Sequence, residues 1–153
     1  VKRKSHASVV LDGKIYIMGG TGDGGGKIDT VEVYDPQADS WQRVASMPRS
    51  LFKHAATVLG GKIYVTGGDS QGSSVNSVYV YDPQVDAWAQ LASMSIARRL
   101  HASVAVGGKL YVFGGFGAGG RLSTVEIYDP ASDSWAQGLG LTSPRSGAMA
   151  VAL

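Results

Sequence analysis

The sequence predicts an all-β fold made of three four-stranded antiparallel sheets stacked face to face. Three observations carry that prediction. The segments KIYIMGG, KIYVTGG and KLYVFGG start at Lys14, Lys62 and Lys109, so the chain repeats itself every 47 or 48 residues. Tyr34-Asp35-Pro36 returns as Tyr81-Asp82-Pro83 and Tyr128-Asp129-Pro130, and Trp41, Trp88 and Trp135 follow at the same beat. No window of twelve or more residues carries a convincing helical period.

Each unit reads as four strands. His6, His54 and His101 open the runs HASVVL, HAATVL and HASVAV, whose small and β-branched residues suit an inner strand buried on both faces. Asp12-Gly13, Gly60-Gly61 and Gly107-Gly108 are hairpin turns into the KIY strands. A glycine-rich loop leads to VEVYDP and its copies, each ended by a proline that cannot donate to a ladder. The Trp-containing runs are short fourth strands, and the Asp before each suits a turn closed by side-chain to backbone bonds. The units span residues 6–52, 54–100 and 101–146 of a single domain covering 1–153. SPRSGAMAVAL aligns with RRLHASVAV, so 147–153 reads as an extra first strand, closing or swapped.

Composition narrows the function. Without cysteine there are no disulfides, thiolate metal sites or cysteine nucleophiles. A net charge of +2 gives no reason to expect nucleic acid, and no apolar run is long enough for a membrane helix. The compartment is left open, with the cytoplasm favoured.

A four-stranded sheet that is apolar on both faces must stack against copies of itself, as propeller blades do. The double glycine, the Tyr-Asp-Pro and the spaced Trp together resemble the Kelch repeat, three times over and across nearly the whole chain. The resemblance implies a β-propeller, most often of six blades, in which Gly-Gly closes the second strand and Tyr and Trp pack between blades. Three blades expose two apolar faces, which monomers seldom tolerate. Two readings follow: half of a longer propeller, or two chains that complete a six-bladed ring. An engineered or fragmentary chain is also conceivable. The associating chain, a homodimer through blade faces, is the reading favoured here.

Catalysis finds little support. The copper oxidases of this architecture need a cysteine; the iron-dependent members use acids and histidine. His6, His54 and His101 recur one per blade, which argues for a repeated structural role, and no metal-ligand spacing accompanies them. Asp23 and Asp69 are candidate acids, but Phe116 takes the matching place in the third blade. TGDGGGK is followed by a strand, not the helix that a phosphate loop needs. We expect no enzyme, cofactor or metal.

The charges are ordered. Meander topology puts the segments leading into each blade on one rim, together with the glycine-rich loops. Those lead-in segments carry Lys2, Arg3, Lys4, Arg49, Lys53, Arg98, Arg99 and Arg145 and no acid; the loops add Lys27 and Arg121 against Asp23, Asp29 and Asp69. The opposite rim is acidic, and turn chemistry explains most of it. The sequence therefore predicts a non-catalytic protein-interaction module that binds acidic or phosphorylated peptide segments through Arg3, Arg49, Lys53, Arg98, Arg99, Arg121 and Arg145. Kelch domains of ubiquitin-ligase adaptors, which this chain resembles, hold acidic side chains with arginines of these segments; Arg49, Arg98 and Arg145 match, Arg98 in a different register from Arg49. A competing reading packs some of these arginines along the blade seams. The alternative function is an enzyme or small-ligand, carbohydrate-type domain that uses the channel mouth.

Overall fold

The computed structural model describes residues 1–151. The first sheet has β1 (Ala7–Leu11), β2 (Lys14–Met18), β3 (Val31–Asp35) and β4 (Ser40–Val44) in sequential antiparallel order. The second has β5 (Ala55–Leu59), β6 (Lys62–Thr66), β9 (Val78–Asp82) and β10 (Ala87–Leu91), with a small hairpin, β7 (Asp69–Ser70) and β8 (Ser73–Ser74), inserted. The third has β11 (Ala102–Val106), β12 (Lys109–Phe113), β15 (Val125–Asp129) and β16 (Ser134–Gln137), with the hairpin β13 (Phe116–Gly117) and β14 (Gly120–Arg121) in the same place. Asp12 and Gly13 turn with φ of 51° and 72°, the left-handed pair that a two-residue hairpin needs.

The inner strands β1, β5 and β11 lie side by side and the sheets stack outward from them. Two apolar clusters fill the seams. Met18, Val31, Met47, Leu51, Val65 and Tyr81 lie in the first; Tyr64, Val78, Met94, Leu110, Val112 and Tyr128 form the second. The repeated tyrosines meet across the seams, Tyr16 on Tyr81 at 6.2 Å and Tyr64 on Tyr128 at 6.0 Å.

Each seam is pinned on both rims. On one, the second glycine of Gly-Gly donates to the carbonyl of the next lead-in segment: Gly20 N–H to Leu51 O and Gly68 N–H to Arg98 O, both 2.8 Å. A Cβ on Gly19 would sit 2.5 Å from Leu51 O and 2.7 Å from His54 Cε1, so the approach excludes any side chain. On the other rim, Trp88 Nε1–H donates to Ala45 O at 2.9 Å while Asp86 accepts from Ala45 N–H at 2.8 Å. Trp135 and Asp133 repeat both bonds on Ala92.

Two predicted ligand arginines belong to this scaffold. Arg98 is fully buried, its guanidinium on Gly114 O, Thr124 and, at 2.6 Å, Glu126. Arg3 makes the same set on Gly19 O, Thr30 and Glu32, with its side chain only 4% exposed. Each guanidinium is engaged by backbone carbonyls left by the Gly-Gly turn and by the Thr and Glu of its own blade. In the second blade the pair is replaced as a unit, with Leu51 and Tyr79 where the first and third have Arg and Glu. Ser95 N–H donates to Glu126 at 2.7 Å, and Pro48, which has no N–H, stands at its equivalent before Tyr79.

The expected extra first strand, 147–153, is described only as far as residue 151. Gly147 N–H bonds Leu100 O at 2.8 Å, continuing the line in which Lys53 N–H bonds Ser5 O and Leu100 N–H bonds Lys53 O. The segment thus starts in a first-strand position beside the third sheet, but Ala148–Val151 form no strand ladder, and residues 152–153 lie outside the described ones. No second strand of a further sheet lies alongside to pair with it among the described residues.

Two predictions follow from the seams. Glu126→Tyr alone leaves the Arg98 charge buried and unpaired and is expected to cost about 3–5 kcal/mol in chemical denaturation. Arg98→Leu, Glu126→Tyr and Ser95→Pro together transplant the second blade's arrangement and should recover most of that loss; a triple variant as unstable as the single one would contradict the assignment. The second concerns acid. Burial lowers His54 to about 4, and burial followed by the Arg98 charge lowers His101 to about 3. Both values lie below the ordinary 6.5, so the unfolded chain binds more protons, and stability falls as pH drops from 6.5 toward 3–4. At His54 alone the loss is on the order of 3 kcal/mol. Replacing both histidines with Gln should flatten the stability profile over that interval.

Candidate rim and channel mouth

The glycine-rich loops and the lead-in segments share one rim, as their backbone bonds require: Lys4 and Thr21 bridge, as do Phe52 with Asp69 and Arg99 with Phe116. Lys4, Phe52 and Arg99 therefore occupy one structural position in successive blades.

This geometry sorts the remaining predicted residues. Arg49, Arg121 and Arg145 are exposed, with no ion pair among the described residues. Lys53 is half-buried, its ammonium 5.2 Å from the Phe52 ring centroid, and Lys27 approaches the same ring at 5.7 Å. Arg99 lies 5.1 Å over Phe116 and bonds Asp69 at 3.1 Å, so part of its charge is already answered. Arg121 is directly opposite Phe116 in the β13–β14 hairpin. With Arg3 and Arg98 withdrawn into the seams, eight basic residues of the rim face Asp23, Asp29 and Asp69.

Phe52 escaped the sequence reading, and Phe116 entered it only as the residue standing where an acid would be, because the rim was treated as charge alone. Their signal was positional, since each takes a place where neighbouring blades carry a polar residue. Glu32 and Glu126 escaped it as well, although both stand two residues after the Thr that begins the third-strand segment.

The opposite rim holds its charge internally. Lys14 pairs with Asp35 at 3.1 Å, Lys62 with Asp82 at 2.9 Å and Lys109 with Asp129 at 3.2 Å. Asp39, Asp86 and Asp133 each accept from the tyrosine of their own blade.

At the basic end of the channel lies a hollow of about 200 Å³, bordered by Ser5, Lys53, His54, His101 and Gly147. His54 and His101 are buried and neutral near pH 7, with His101 Nε2 held 2.9 Å from Thr66 Oγ1. Both imidazoles pack over the glycine pairs of the preceding blade, so they wall the hollow as parts of the seam. Inside the channel small side chains meet, and Thr57 and Ser103 share a hydroxyl hydrogen bond. Among the described residues no three His, Asp or Glu gather in a group that could hold a metal.

Comparison with known proteins agrees with the repeat. Residues 1–137 match the family described as the KLHDC2/KLHL20/DRC7 Kelch-repeats domain. Beta-scruin of Limulus polyphemus is 37% identical over 49 residues, 32% of this chain and 5% of that protein. Two F-box/kelch-repeat proteins of Arabidopsis thaliana are 41% and 46% identical over 46 residues, 30% of this chain and 11–12% of theirs. The solved structure of YjhT superposes with a TM-score of 0.82 at 22% identity, over 94% of this chain and 54% of YjhT, and so shares the fold. The chain therefore spans about half of YjhT and a small part of each of those curated relatives. With three Gly-Gly, Tyr-Asp-Pro and Trp blades and a match over residues 1–137, the chain belongs to the Kelch-repeat family, whose typical role is protein interaction.

Proposed function

We propose that the chain is a non-catalytic interaction module whose basic rim takes acidic or phosphorylated peptide segments. One observation carries the reading: Phe52 is flanked by the ammonium groups of Lys27 and Lys53, neither of them in an ion pair among the described residues. An aromatic shelf between two free cations suits a segment that alternates acidic and apolar side chains. The carboxylates or phosphates pair with the lysines while an apolar neighbour lies on the ring. Arg99 on Phe116, with exposed Arg121 opposite, repeats the pattern one blade on. Arg49 and Arg145 extend the positive field; Arg145 also donates to Ser143 Oγ at 2.8 Å, and a guanidinium fork can grip two oxygens at once.

Each exposed cation contributes little alone, under about 1 kcal/mol, so the predicted variant is a combination. Titration with pools of acidic and phosphorylated peptides should give binding that weakens steadily as salt rises. Arg49→Ala, Lys53→Ala, Arg121→Ala and Arg145→Ala combined should reduce it at least tenfold, and Phe52→Ala should weaken it at high salt as well. Binding unchanged in the quadruple variant, or absent from both pools at low salt, ends this proposal.

A further inference from the structure

Three residues share the place just after the glycine pair, and they are not alike. Thr21, Asp69 and Phe116 each bridge the lead-in segment of their own blade, on Lys4, Phe52 and Arg99. Only the second blade puts an acid there, and the Asp69 side chain is just 5% exposed. A buried carboxylate needs partners for both of its oxygens. Asp69 Oδ1 accepts Gly72 N–H at 2.8 Å, which closes the turn between β7 and β8. Asp69 Oδ2 accepts from Arg99 at 3.1 Å, from the lead-in segment of the next blade. The turn bond needs an oxygen and not a charge. Among the described residues the charge of Asp69 has one ion-pair partner, Arg99.

The two aromatic stations of the rim therefore differ in field. At Phe52 the ammonium groups of Lys27 and Lys53 stand 5.7 and 5.2 Å from the ring centroid. Neither has an acid partner among the described residues. At Phe116 the cation over the ring is Arg99, 5.1 Å away, and Asp69 already answers its charge. Arg121, across the small hairpin from Phe116, is exposed and supplies the unanswered charge of that station. One station thus offers two unpaired cations and the other offers one.

Resting on the basic-rim reading above, we propose that Asp69 is the specificity-determining residue of this rim. By answering Arg99 from within, it directs the doubly charged group of a ligand to Phe52 and leaves Phe116 to an apolar or singly charged neighbour. The ligand class selected is a singly phosphorylated segment with an apolar side chain, over a run of carboxylates. A phosphate monoester carries about 1.5 to 2 negative charges near pH 7 and three acceptor oxygens. Two lysines on flexible stems beside one ring can meet different oxygens of the same phosphate. A run of carboxylates gains only by spreading over both stations. At the second it meets the like charge of Asp69 behind Arg99, which opposes it.

Asp69→Asn tests this, because it keeps an oxygen to close the turn and removes the charge. Asp69→Thr, with the residue that stands at position 21, is the second variant, so that a folding fault in one does not decide the result. The first measurement needs no ligand. Phenylglyoxal labelling with mass mapping should modify Arg99 about threefold faster in either variant than in the unmodified chain, with Arg49, Arg121 and Arg145 unchanged. Equal Arg99 rates overturn the proposal. The second uses the acidic and phosphorylated peptide pools. The unmodified chain should favour the phosphorylated pool, and Lys27→Ala with Lys53→Ala should erase that preference. Asp69→Asn should raise binding of the acidic pool about threefold and narrow the preference. Acidic-pool binding that is unchanged or weaker in Asp69→Asn ends this inference and leaves the basic-rim reading standing. Binding of neither pool to any of these proteins ends both.

Discussion

The fold depends on a backbone contact that a side chain would forbid. Each sheet ends its second strand at a glycine pair, and the next lead-in segment passes so close that its carbonyl takes a hydrogen bond from the second glycine. Both glycines have positive φ, which lets the strand turn away and frees two carbonyls toward the next seam. Those carbonyls must be satisfied because they are buried. The sequence offers two solutions. Arg3 and Arg98 bring donors and, with them, glutamates to neutralise the charge; the middle blade uses Leu51 and Tyr79 and takes no donor there. Ser77 then keeps a buried hydroxyl with no partner among the described residues, at the place where Thr30 and Thr124 receive arginine. That orphan group is a cost of the apolar solution, as desolvation of two ions is a cost of the polar one.

Because the contact is made once per seam, the second rim needs its own fastening. Trp and Asp supply it from a single fourth-strand turn: Asp86 and Asp133 accept a backbone N–H from the previous blade, while Trp88 and Trp135 donate to the carbonyl of the same residue. The tyrosine of Tyr-Asp-Pro bonds that Asp and holds it in place. Three landmarks that look independent along the chain are thus one device. Their common period follows from the requirement that donor, acceptor and apolar filling arrive together at every seam.

This explains which parts of the molecule were legible from the sequence. Strands, turns and seams obey local rules of period two, Gly-Gly turns and Pro stops, so all twelve long strands fall where the repeats put them. The lead-in arginines were not legible in the same way. Arg49 and Arg98 look alike as charges, yet one is exposed and the other fully buried, because a two-residue offset puts Arg98 in the seam position that Leu51 fills in the preceding segment. Counting basic residues on a rim treats every charge as solvated. A buried glutamate 28 residues further along the chain cancels one of them, and that pairing is visible only once Arg3 with Glu32, Arg98 with Glu126 and Leu51 with Tyr79 are read as alternatives at one site.

The same distinction separates scaffold from recognition. Seam groups are satisfied in pairs, so exchanging one member leaves a buried charge or carbonyl without a partner, and such positions vary only together. The side chains of rim groups such as Arg49, Lys53 and Arg121 make no hydrogen bond to the seams among the described residues, although the Lys53 backbone bonds Ser5 and Leu100. They project from loops whose backbone is already fixed by Gly-Gly bonds at their base, and their side chains can change without disturbing the stack. Between these classes lie Phe52 and Phe116. Each sits on a bridging segment whose backbone bonds are held by the adjoining blade, while its ring faces lysine or arginine. Backbone bonds to Asp69 and Arg99 fix Phe52 and Phe116 while their rings face the rim cations, so under the proposed function a ligand would stack on a surface the scaffold already holds. In the proposed binding of a short acidic segment, that preorganisation, more than the net positive charge, would spare the protein further loss of freedom.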